Sequence, residues 1–439
     1  MANTMTVKIL GKSSPDRQTI DHGKRKTLAR IKDAAVAATV YGQAPFVFSR
    51  QKTVIRVLGT HVTLQEELRQ RAMEDLGIEV EFSPHGSAAV LQRASISPGS
   101  FDLYEQWSNS INVLWRANAI QPIDKKRIER WDEINALTKT GKLTPESKIG
   151  AGDAPHKILH VQPDNTLGEM HTDRVSFLPY VHNVDSYGYN TDIIAPGTPY
   201  ESESWGWLLD PAFRGKVAIV NAPTIGLFDL ALAARSNGLV DIADIGAITK
   251  TELDALFNVL LEYKYAGQFS GFWTSVPESV TFMKSGRVNI QSMFSPGVSA
   301  LKGMGIPCRY AAPKEGYRGW HGVMCLSSAT HGRQKDAAYE YMNWWLSGWP
   351  GAFIARQGYY ISNPERSKAY LEPEEWDYWY QGKPAAKALS GPDGAISVNP
   401  GDVRTGGSYE RRFSNVAVWN TVMPTYDYSL QKWYEFISA

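Results

Sequence analysis

The chain has 439 residues, of which 43% are hydrophobic, and this length exceeds the usual size of a single domain. Lysine and arginine total 46 against 45 aspartates and glutamates, and the basic residues are spread along the sequence. This balance excludes the basic surface that nucleic acid or an acidic membrane would attract. No stretch approaches the roughly 20 consecutive apolar residues of a membrane span. We therefore expect two lobes and no nucleic-acid partner.

The first fifty residues differ in composition from the rest of the chain. A polar start is followed by the basic segment GKRKTLARIK and then by the charge-free residues 34–49. A basic region followed by an apolar region is the order of an export leader, and Lys24 with Arg25 forms a degenerate twin-arginine pair. We therefore predict that residues 1–52 are an export leader and that the protein is periplasmic. A disordered cytoplasmic extension is the alternative, because Asp33 and Pro45 weaken the leader pattern.

Export predicts a specific N-terminus for the mature protein. Because cleavage follows the apolar region, N-terminal sequencing of the protein from its native host should begin beyond about Ala44. A mature protein that still starts at Met1 or Ala2 would contradict export and would favour the cytoplasmic extension.

Residues 53–180 show strands that alternate with helices. The strand TVIRVLG precedes a helix in THVTLQEELRQRAMEDLG, which Thr63 and Glu66 are predicted to cap and Gly77 to end. The strand IEVEF completes a βαβ unit, and the strand FDLYEQW and the helix SNSINVLWRAN follow. This alternation predicts a largely parallel sheet covered by helices, which we call lobe one.

Residues 181–308 repeat the pattern and are predicted to form lobe two. The extended stretch SFLPYVHNVDSYGYNTDII is interpreted as the crossing into this lobe, and capping boxes are predicted at Thr249 with Glu252 and at Ser275 with Glu278. The strands IPCRYAAP and GWHGVMCLS form the return crossing, so residues 309–348 are assigned to lobe one. Residues 349–439 are assigned to lobe two, with a C-terminal tail that packs across the lobes.

The common catalytic and metal-binding signatures are absent from the sequence. There is no G-x-S-x-G, G-x-x-x-x-G-K-[ST], G-x-G-x-x-G or H-E-x-x-H pattern. His156 and His160 lie in HKILH, which reads as a strand without a third ligand, so neither a metal nor a cofactor is predicted. Cys308 and Cys325 are interpreted as buried free thiols, with a single bridge as the alternative.

Several segments, in this order, resemble the solute-binding proteins of ABC importers. They are GYNTDII, WGWLLDPAFRGKVAIVNAP, SVTFMKSGRVNIQSMFSPGVSAL, YAAPKEGYRGW, KDAAYEYMNWWLS and RQGYYISNPERSKAYL. The order is most similar to the spermidine/putrescine-binding branch and extends from about Thr53 to the end of the chain. The resemblance implies an α/β fold of the two-lobed periplasmic-binding-protein type (type II), with hinge crossings and a central cleft. It also implies a monomeric, non-enzymatic subunit that delivers a small organic solute to the membrane subunits of an ABC transporter.

The resemblance places the ligand in a cleft lined by aromatic and small polar residues. The cleft residues of the family correspond here to Thr60, His61, Trp107, Ser108, Asn221, Thr224, Trp273, Phe294, Ser295 and Trp320. Trp273 and Phe294 stand beside turn residues and are predicted to contact the ligand most directly. The tryptophans of the segment YMNWWLSGW, Trp344, Trp345 and Trp349, are instead predicted to be core residues.

The carboxylates that polyamine-binding members of the family use to neutralise an ammonium group are missing at their usual positions. The turn NAPTIGLF has no acid before Asp229, and the aromatic turn FSP has none. The uncovered N-terminus of the helix TIGLFDLALAARSNG would favour an anionic oxygen. Arg318, and Arg411 or Arg412, are either further anion contacts or solvated surface residues. We therefore expect a compact solute with a carboxylate or other oxyanion group, a zwitterion included, rather than a linear polyamine.

Two other functions stay open on the sequence alone. An enzyme that acts on a small solute could use the same bilobal α/β scaffold, and turnover by the purified protein would identify it. A chemoreceptor adaptor, which senses a solute without transporting it, would show the same sequence features.

Overall fold

The structure is a computed structural model that describes residues 52–439. Residues 1–51 of the predicted leader, with its twin-arginine pair, therefore lie outside the described residues. Among the described residues, no helix is both long enough and apolar enough to cross a membrane.

Lobe one begins with strands that alternate with helices. Its elements are β1 (Val54–Gly59), α1 (Glu66–Leu76), β2 (Glu79–Pro84), α2 (Ser87–Ile96), β3 (Leu103–Trp107), α3 (Ile111–Arg116), β4 (Ile120–Gln121), β5 (Ile123–Asp124) and α4 (Ala136–Thr140). β1 pairs in parallel with both β2 and β3, which confirms the predicted βαβ unit.

The two ends of α1 differ in how well local sequence predicts them. Gly77 ends the helix with a φ of 67°, a left-handed conformation that glycine adopts without a Cβ clash. The predicted cap at Thr63 is wrong, because the helix begins at Glu66 with Gln65 as its N-cap residue. The Thr63 hydroxyl instead accepts a hydrogen bond of 3.1 Å from the hydroxyl of Tyr180, a residue distant in sequence.

A small antiparallel sheet follows, and then the first long strand. The strands are β6 (His160–Val161), β7 (Leu167–Gly168), β8 (Arg174–Val175) and β9 (Leu178–Asn190), of which the first three form a sheet with β5. The strand predicted for HKILH is wrong in its first part, because Pro155–Ile158 forms a 3₁₀ turn that begins at the proline. Within residues 52–439, no cluster of three or more histidine, cysteine or acidic side chains is arranged to hold a metal ion.

Lobe two repeats the βαβ arrangement. Its elements are β10 (Val217–Val220), α5 (Gly226–Ser236), α6 (Lys250–Tyr265), β11 (Phe269–Trp273), α7 (Val276–Lys284), β12 (Ile290–Met293), α8 (Ser295–Gly303) and β13 (Cys308–Tyr310). The capping box of Thr249 and Glu252 is confirmed at α6. At α7 only half of the predicted box forms, because the Glu278 carboxylate accepts a 2.7 Å bond from the Thr274 amide rather than from Ser275.

The chain then returns to lobe one and ends in the tail. The remaining elements are β14 (Tyr317–Ser327), α9 (Gly332–Trp345), α10 (Trp349–Arg356), β15 (Tyr360–Ile361), α11 (Pro364–Ser367), α12 (Pro373–Trp379), β16 (Leu389–Ser390), β17 (Ile396–Val398), α13 (Tyr409–Phe413), β18 (Val416–Trp419) and α14 (Tyr426–Ser438).

One continuous sheet connects the two lobes through β9 and β14, which we call the crossing strands. The strand order is β11-β10-β12-β9-β14-β3-β1-β2, and the crossing strands are antiparallel to each other and to their outer neighbours. The three outer strands on each side repeat the same order. A mixed α/β chain with two such halves can bend only where the crossing strands join them, which is the geometry of a hinge.

The hydrophobic cores lie on the two sides of the crossing strands. Trp345 packs with the β1–β3 core, while Trp433 of α14 packs with the core around α5 and α6. One part of the predicted boundary differs from this packing: Phe353 and Ile361, assigned to lobe two, lie in the core of lobe one. The reason is that α10 follows α9 after a turn at Gly348, whose φ of 116° redirects the helix onto its predecessor.

The many aromatic residues of the tail form a third cluster, which we call the tail cluster. It packs against Val184 of β9, Tyr317 of β14 and Tyr360 of β15. Its tail members are Leu371, Trp376, Tyr378, Trp379, Tyr380, Ala385, Leu389, Val398, Tyr409, Phe413, Val416 and Trp419. The tail is rich in aromatic residues because it covers one face of both crossing strands.

Both cysteines are buried and unbridged. Cys308 lies in a hydrophobic cluster of lobe two, whereas Cys325 lies in the core of lobe one. The interpretation of free thiols is therefore confirmed, and the alternative of a single bridge is wrong.

Candidate functional site

The ends of the parallel strands bring loops from both lobes toward one crevice. Thr60 follows β1 and Trp107 ends β3 in lobe one, while Asn221 follows β10 and Phe294 follows β12 in lobe two. In open α/β sheets, ligands bind outside the carboxyl ends of the strands, so these loops are the expected site. That these residues contact a ligand stays a prediction.

A cavity of about 820 Å³ opens between loops of the two lobes. Lobe one contributes His61 and Tyr359, and lobe two contributes Val276, Pro296 and Met304. A cavity of this size accommodates a small organic solute. Of the ten residues predicted from sequence, His61 lines this cavity and the other nine do not, whereas Tyr359, which does, was missed.

Each lobe places one half-buried aromatic ring in front of a buried tryptophan. Trp107 meets Trp320 edge to face, with ring centroids 6.4 Å apart, and Trp320 also meets Tyr359 at 5.4 Å. In lobe two, Phe294 meets Trp273 edge to face at 5.2 Å. Since Trp107 and Phe294 keep some exposure, they are the rings that a ligand can reach.

The structure changes the role expected for Trp273. Its side chain is only 1% exposed and packs with Met283 and Met293, so it supports Phe294 from behind. Trp320 is also buried and lies behind Trp107 in the same way. The aromatic count of the sequence cannot separate a wall residue from its support, because the difference depends on how segments distant in the chain pack together.

The predicted polar residues divide into those with partners and those without. Asn221 is engaged, because its Oδ1 accepts a 3.0 Å bond from the indole Nε1 of Trp433. Ser108 is buried, and its Oγ has no hydrogen-bond partner among the described residues. Ser295 is buried beside Gly358, where lobe two meets the segment before β15. Thr224 is half-buried on the turn before α5.

The crossing strand β9 carries polar residues that the sequence analysis did not select. Asn183 pairs in register with Trp320, and its amide oxygen and nitrogen are both buried without a partner in the described chain. The hydroxyls of Ser186 on β9 and Ser292 on β12 share this property. Buried polar atoms normally find partners, so such a group marks a place for a ligand or water. The available signal was a run of polar residues inside a strand long enough to be buried.

A buried ion cluster joins the crossing strands to α5. Arg318 of β14 donates from Nε to Asp229 Oδ1 at 2.7 Å, and its Nη1 lies 3.5 Å from Asp185 Oδ2. The Tyr310 hydroxyl donates a 3.2 Å bond to Asp185 Oδ1. Burial raises the pKa of Asp185 to about 6, although the charge of Arg318 acts in the opposite direction. Burial likewise raises the pKa of Asp229.

This cluster corrects two expectations about charge. Arg318 is neither a solvated surface residue nor a free anion contact, because it is fully buried and ion-paired. Two carboxylates, Asp185 and Asp229, are buried with Arg318 and share its guanidinium group. Of the tail arginines, Arg411 is exposed as expected, whereas Arg412 is buried.

Comparison with known proteins finds similarity only at the level of three-dimensional structure. No protein-family model and no curated protein matches the sequence. The Tp0655 (TpPotD) lipoprotein of Treponema pallidum matches with a TM-score of 0.62 at 12% identity, over 88% of this chain and 100% of that chain. The spermidine/putrescine ABC transporter substrate-binding protein PotD of Streptococcus pneumoniae matches with a TM-score of 0.58 at 15% identity, over 88% and 100%.

A third match has a different ligand in its name. The binding protein AgtB of A. tumefaciens R10, in complex with agropinic acid, matches with a TM-score of 0.54 at 14% identity, over 88% of this chain and 99% of that chain. Identities this low establish a shared fold. The strand order, the two crossing strands and these matches together show that the chain has the two-lobed type II fold of ABC-transporter substrate-binding proteins.

Proposed function

We propose that this chain is the solute-binding subunit of an ABC importer and that it captures a small organic solute between its two lobes. The observation that carries the proposal is the cavity of about 820 Å³, which is lined by segments of both lobes and of the tail. Closure about such a hinge encloses a solute without any covalent step. The closed form would then be recognised by the membrane subunits of the transporter.

The aromatic rings of the two lobes supply the apolar part of the proposed recognition. Trp107 and Phe294 are each held by an edge-to-face contact with a buried tryptophan. A ring that is already fixed loses little conformational entropy when it stacks on a solute. Ser108 and Asn183, whose side chains lack protein partners in the described chain, provide hydrogen-bonding groups nearby.

We further propose that the solute carries a carboxylate or other oxyanion group and is not a linear polyamine. Asp185 and Asp229 are both buried against Arg318, so neither carboxylate is exposed to an ammonium group in the crevice. The agropinic acid named with AgtB shows that the same fold accommodates an acid. The N-terminus of α5 favours an oxyanion less strongly than the sequence predicts. Asn221 already accepts a hydrogen bond from Trp433, and the carboxylate of Asp229 lies in the first turn of the helix.

Calorimetric titration tests the class of solute. Spermidine and putrescine should give no binding heat, whereas at least one member of a panel of organic acids and amino-acid-like solutes should bind with micromolar affinity or better. The panel is chosen by mass spectrometry of the ligand released from protein purified without denaturation. Micromolar polyamine binding without a response to the acids would contradict the charge assignment. Turnover of a bound solute would establish the enzyme instead.

A further inference from the structure

Two arginines of the tail are buried without a carboxylate partner. Arg404 is 8% exposed and Arg412 is 1% exposed, and in residues 52–439 neither forms an ion pair. Arg404 donates from Nη2 to the carbonyl oxygen of Gly358 at 2.9 Å, and Arg412 donates from Nη1 to the hydroxyl of Tyr360 at 3.0 Å. The Nε atom of each guanidinium is buried and has no partner in the described chain.

Comparison with Arg318 shows what Arg404 and Arg412 lack, which is a carboxylate within ion-pair distance. Arg318 is equally buried, yet two carboxylates lie within ion-pair distance of it. A buried charge without a counter-charge is strongly unfavourable, because the protein interior replaces little of its hydration. Burial, together with the nearby charge of Arg412, lowers the pKa of Arg404. The two guanidinium groups therefore repel each other in a place where water screens them poorly.

Aromatic rings surround the two guanidinium groups but do not neutralise them. The ring of Tyr360 faces both, at 5.0 Å from the Arg404 guanidinium carbon and 6.0 Å from that of Arg412. Trp379 lies 4.9 Å from Arg404, and Tyr317 lies 5.4 Å from Arg412. Ring faces attract cations through their quadrupole, yet they carry no net negative charge. The charge of Arg412 acts on Asp185, but no carboxylate of residues 52–439 lies within ion-pair distance of either guanidinium group.

A second cavity gives access to this place. It has a volume of about 660 Å³ and is lined by Arg404, Arg411, Lys302 and Asp402, together with the turn at residues 405–407. The carboxylate of Asp402 is oriented toward Lys302, with their charged atoms 3.8 Å apart. Arg411 lies over the ring of Tyr200 at 4.9 Å and adds a further positive charge at the surface of the cavity.

The turn itself brings the protein backbone against the arginines. Gly406 has a φ of 89°, and a Cβ atom there would overlap the hydroxyl of Tyr317. Only glycine therefore allows the turn to approach the tail cluster this closely. The same hypothetical atom would lie 3.2 Å from Cγ of Arg412, so the stem of this side chain, which does not itself line the cavity, packs against the turn that does.

We propose that Arg404 and Arg412 form a binding site for a small oxyanion, entered from the 660 Å³ cavity and separate from the crevice between the lobes. Planar guanidinium groups present paired donors that match the oxygens of a phosphate, sulfate or carboxylate group. Such an ion would complete the charge balance beneath the tail and would stabilise its packing on β15 and the crossing strands.

Thermal unfolding of the purified full-length chain tests the site. Inorganic phosphate should raise the Tm of the wild type by several degrees, saturably and at low millimolar concentration, relative to chloride at matched ionic strength. Arg404→Gln and Arg412→Gln should shift the half-effect concentration at least about tenfold. The control Arg235→Gln removes an exposed arginine of α5 and should respond like the wild type. A parallel series with sulfate and with malonate distinguishes an inorganic oxyanion from a carboxylate.

Two outcomes would overturn the proposal. One is an equal rise in Tm for the wild type and both glutamine variants, which would indicate a general salt effect. The other is the absence of any saturable rise, together with no phosphate binding by calorimetry on the wild type. Should a glutamine variant fail to fold, Arg404→Lys keeps the charge but loses the paired donors, and it should bind phosphate more weakly. No cleft solute is added in these measurements, and the variants leave the crevice unchanged, so their failure leaves the proposed transport function unaffected.

Discussion

Replacing Arg318 with methionine should lower the free energy of unfolding by about 3–5 kcal/mol, which is the usual loss when one partner of a buried ion cluster is removed. The change leaves Asp185 and Asp229 buried beside each other with no cation within ion-pair distance in the described chain. Both carboxylates would then have to bind protons or bring water into the interior. Urea denaturation followed by circular dichroism measures the loss.

The pH dependence gives this prediction a distinctive signature. Burial already raises the pKa of Asp185 to about 6, and removal of the neighbouring positive charge raises it further. The folded variant therefore binds protons more readily than the unfolded chain, so the loss should be smaller at pH 5 than at pH 8. The control is Arg366→Met, which breaks a solvent-exposed pair with Glu133 and should cost much less. Equal losses in both variants, without a pH dependence, would contradict the role assigned to the cluster.

Truncating Trp273 to alanine should destabilise lobe two by about 3–5 kcal/mol, because the side chain is 1% exposed and a cavity would replace it. Truncating Phe294, which lies in front of it, should instead weaken solute binding by roughly 10- to 100-fold with a much smaller effect on folding. Thermal unfolding and calorimetry on the same two variants separate the two roles. The solute for the calorimetry is the one found in the panel described above.

Matched variants exist in lobe one. Trp345→Ala removes a fully buried core residue and should resemble Trp273→Ala in stability, while Trp107→Ala should resemble Phe294→Ala in affinity. If Trp273→Ala left the Tm unchanged and abolished binding, Trp273 would be a direct ligand contact, as first predicted from the sequence. If Phe294→Ala and Trp107→Ala both left affinity unchanged, the aromatic walls would not be where we place them.

The charge assignments show where reading the sequence was insufficient. Arg318 and Arg412 look like ordinary surface residues in the sequence, yet both are buried. Their positions depend on which strand pairs with β14 and on where the tail folds back, and no local pattern contains that information. The same holds for Asn183, whose unpartnered amide becomes visible only when the register with Trp320 is known.

Features that depend on a few consecutive residues were predictable. The βαβ units follow from alternation of apolar strands and amphipathic helices, the end of α1 follows from Gly77, and the cap of α6 follows from Thr249 and Glu252. Each is stabilised by contacts within one turn or between neighbouring segments, so the sequence alone determined them. It also determined the order of segments that resembles solute-binding proteins, from which the two-lobed fold was predicted.

Only the tertiary structure decided which aromatic residues face the crevice and which pack behind them. It also decided which charged residues form buried ion pairs. Thr63 does not cap α1. Its hydroxyl instead accepts a hydrogen bond from the hydroxyl of Tyr180, on a strand far along the chain. Trp273 became a core residue and Phe294 a wall because the packing of α7 and α8 on β11 and β12 covers one ring and leaves the other half-exposed. These outcomes depend on contacts between segments distant in sequence, whose free energies are comparable to those of the local preferences they override.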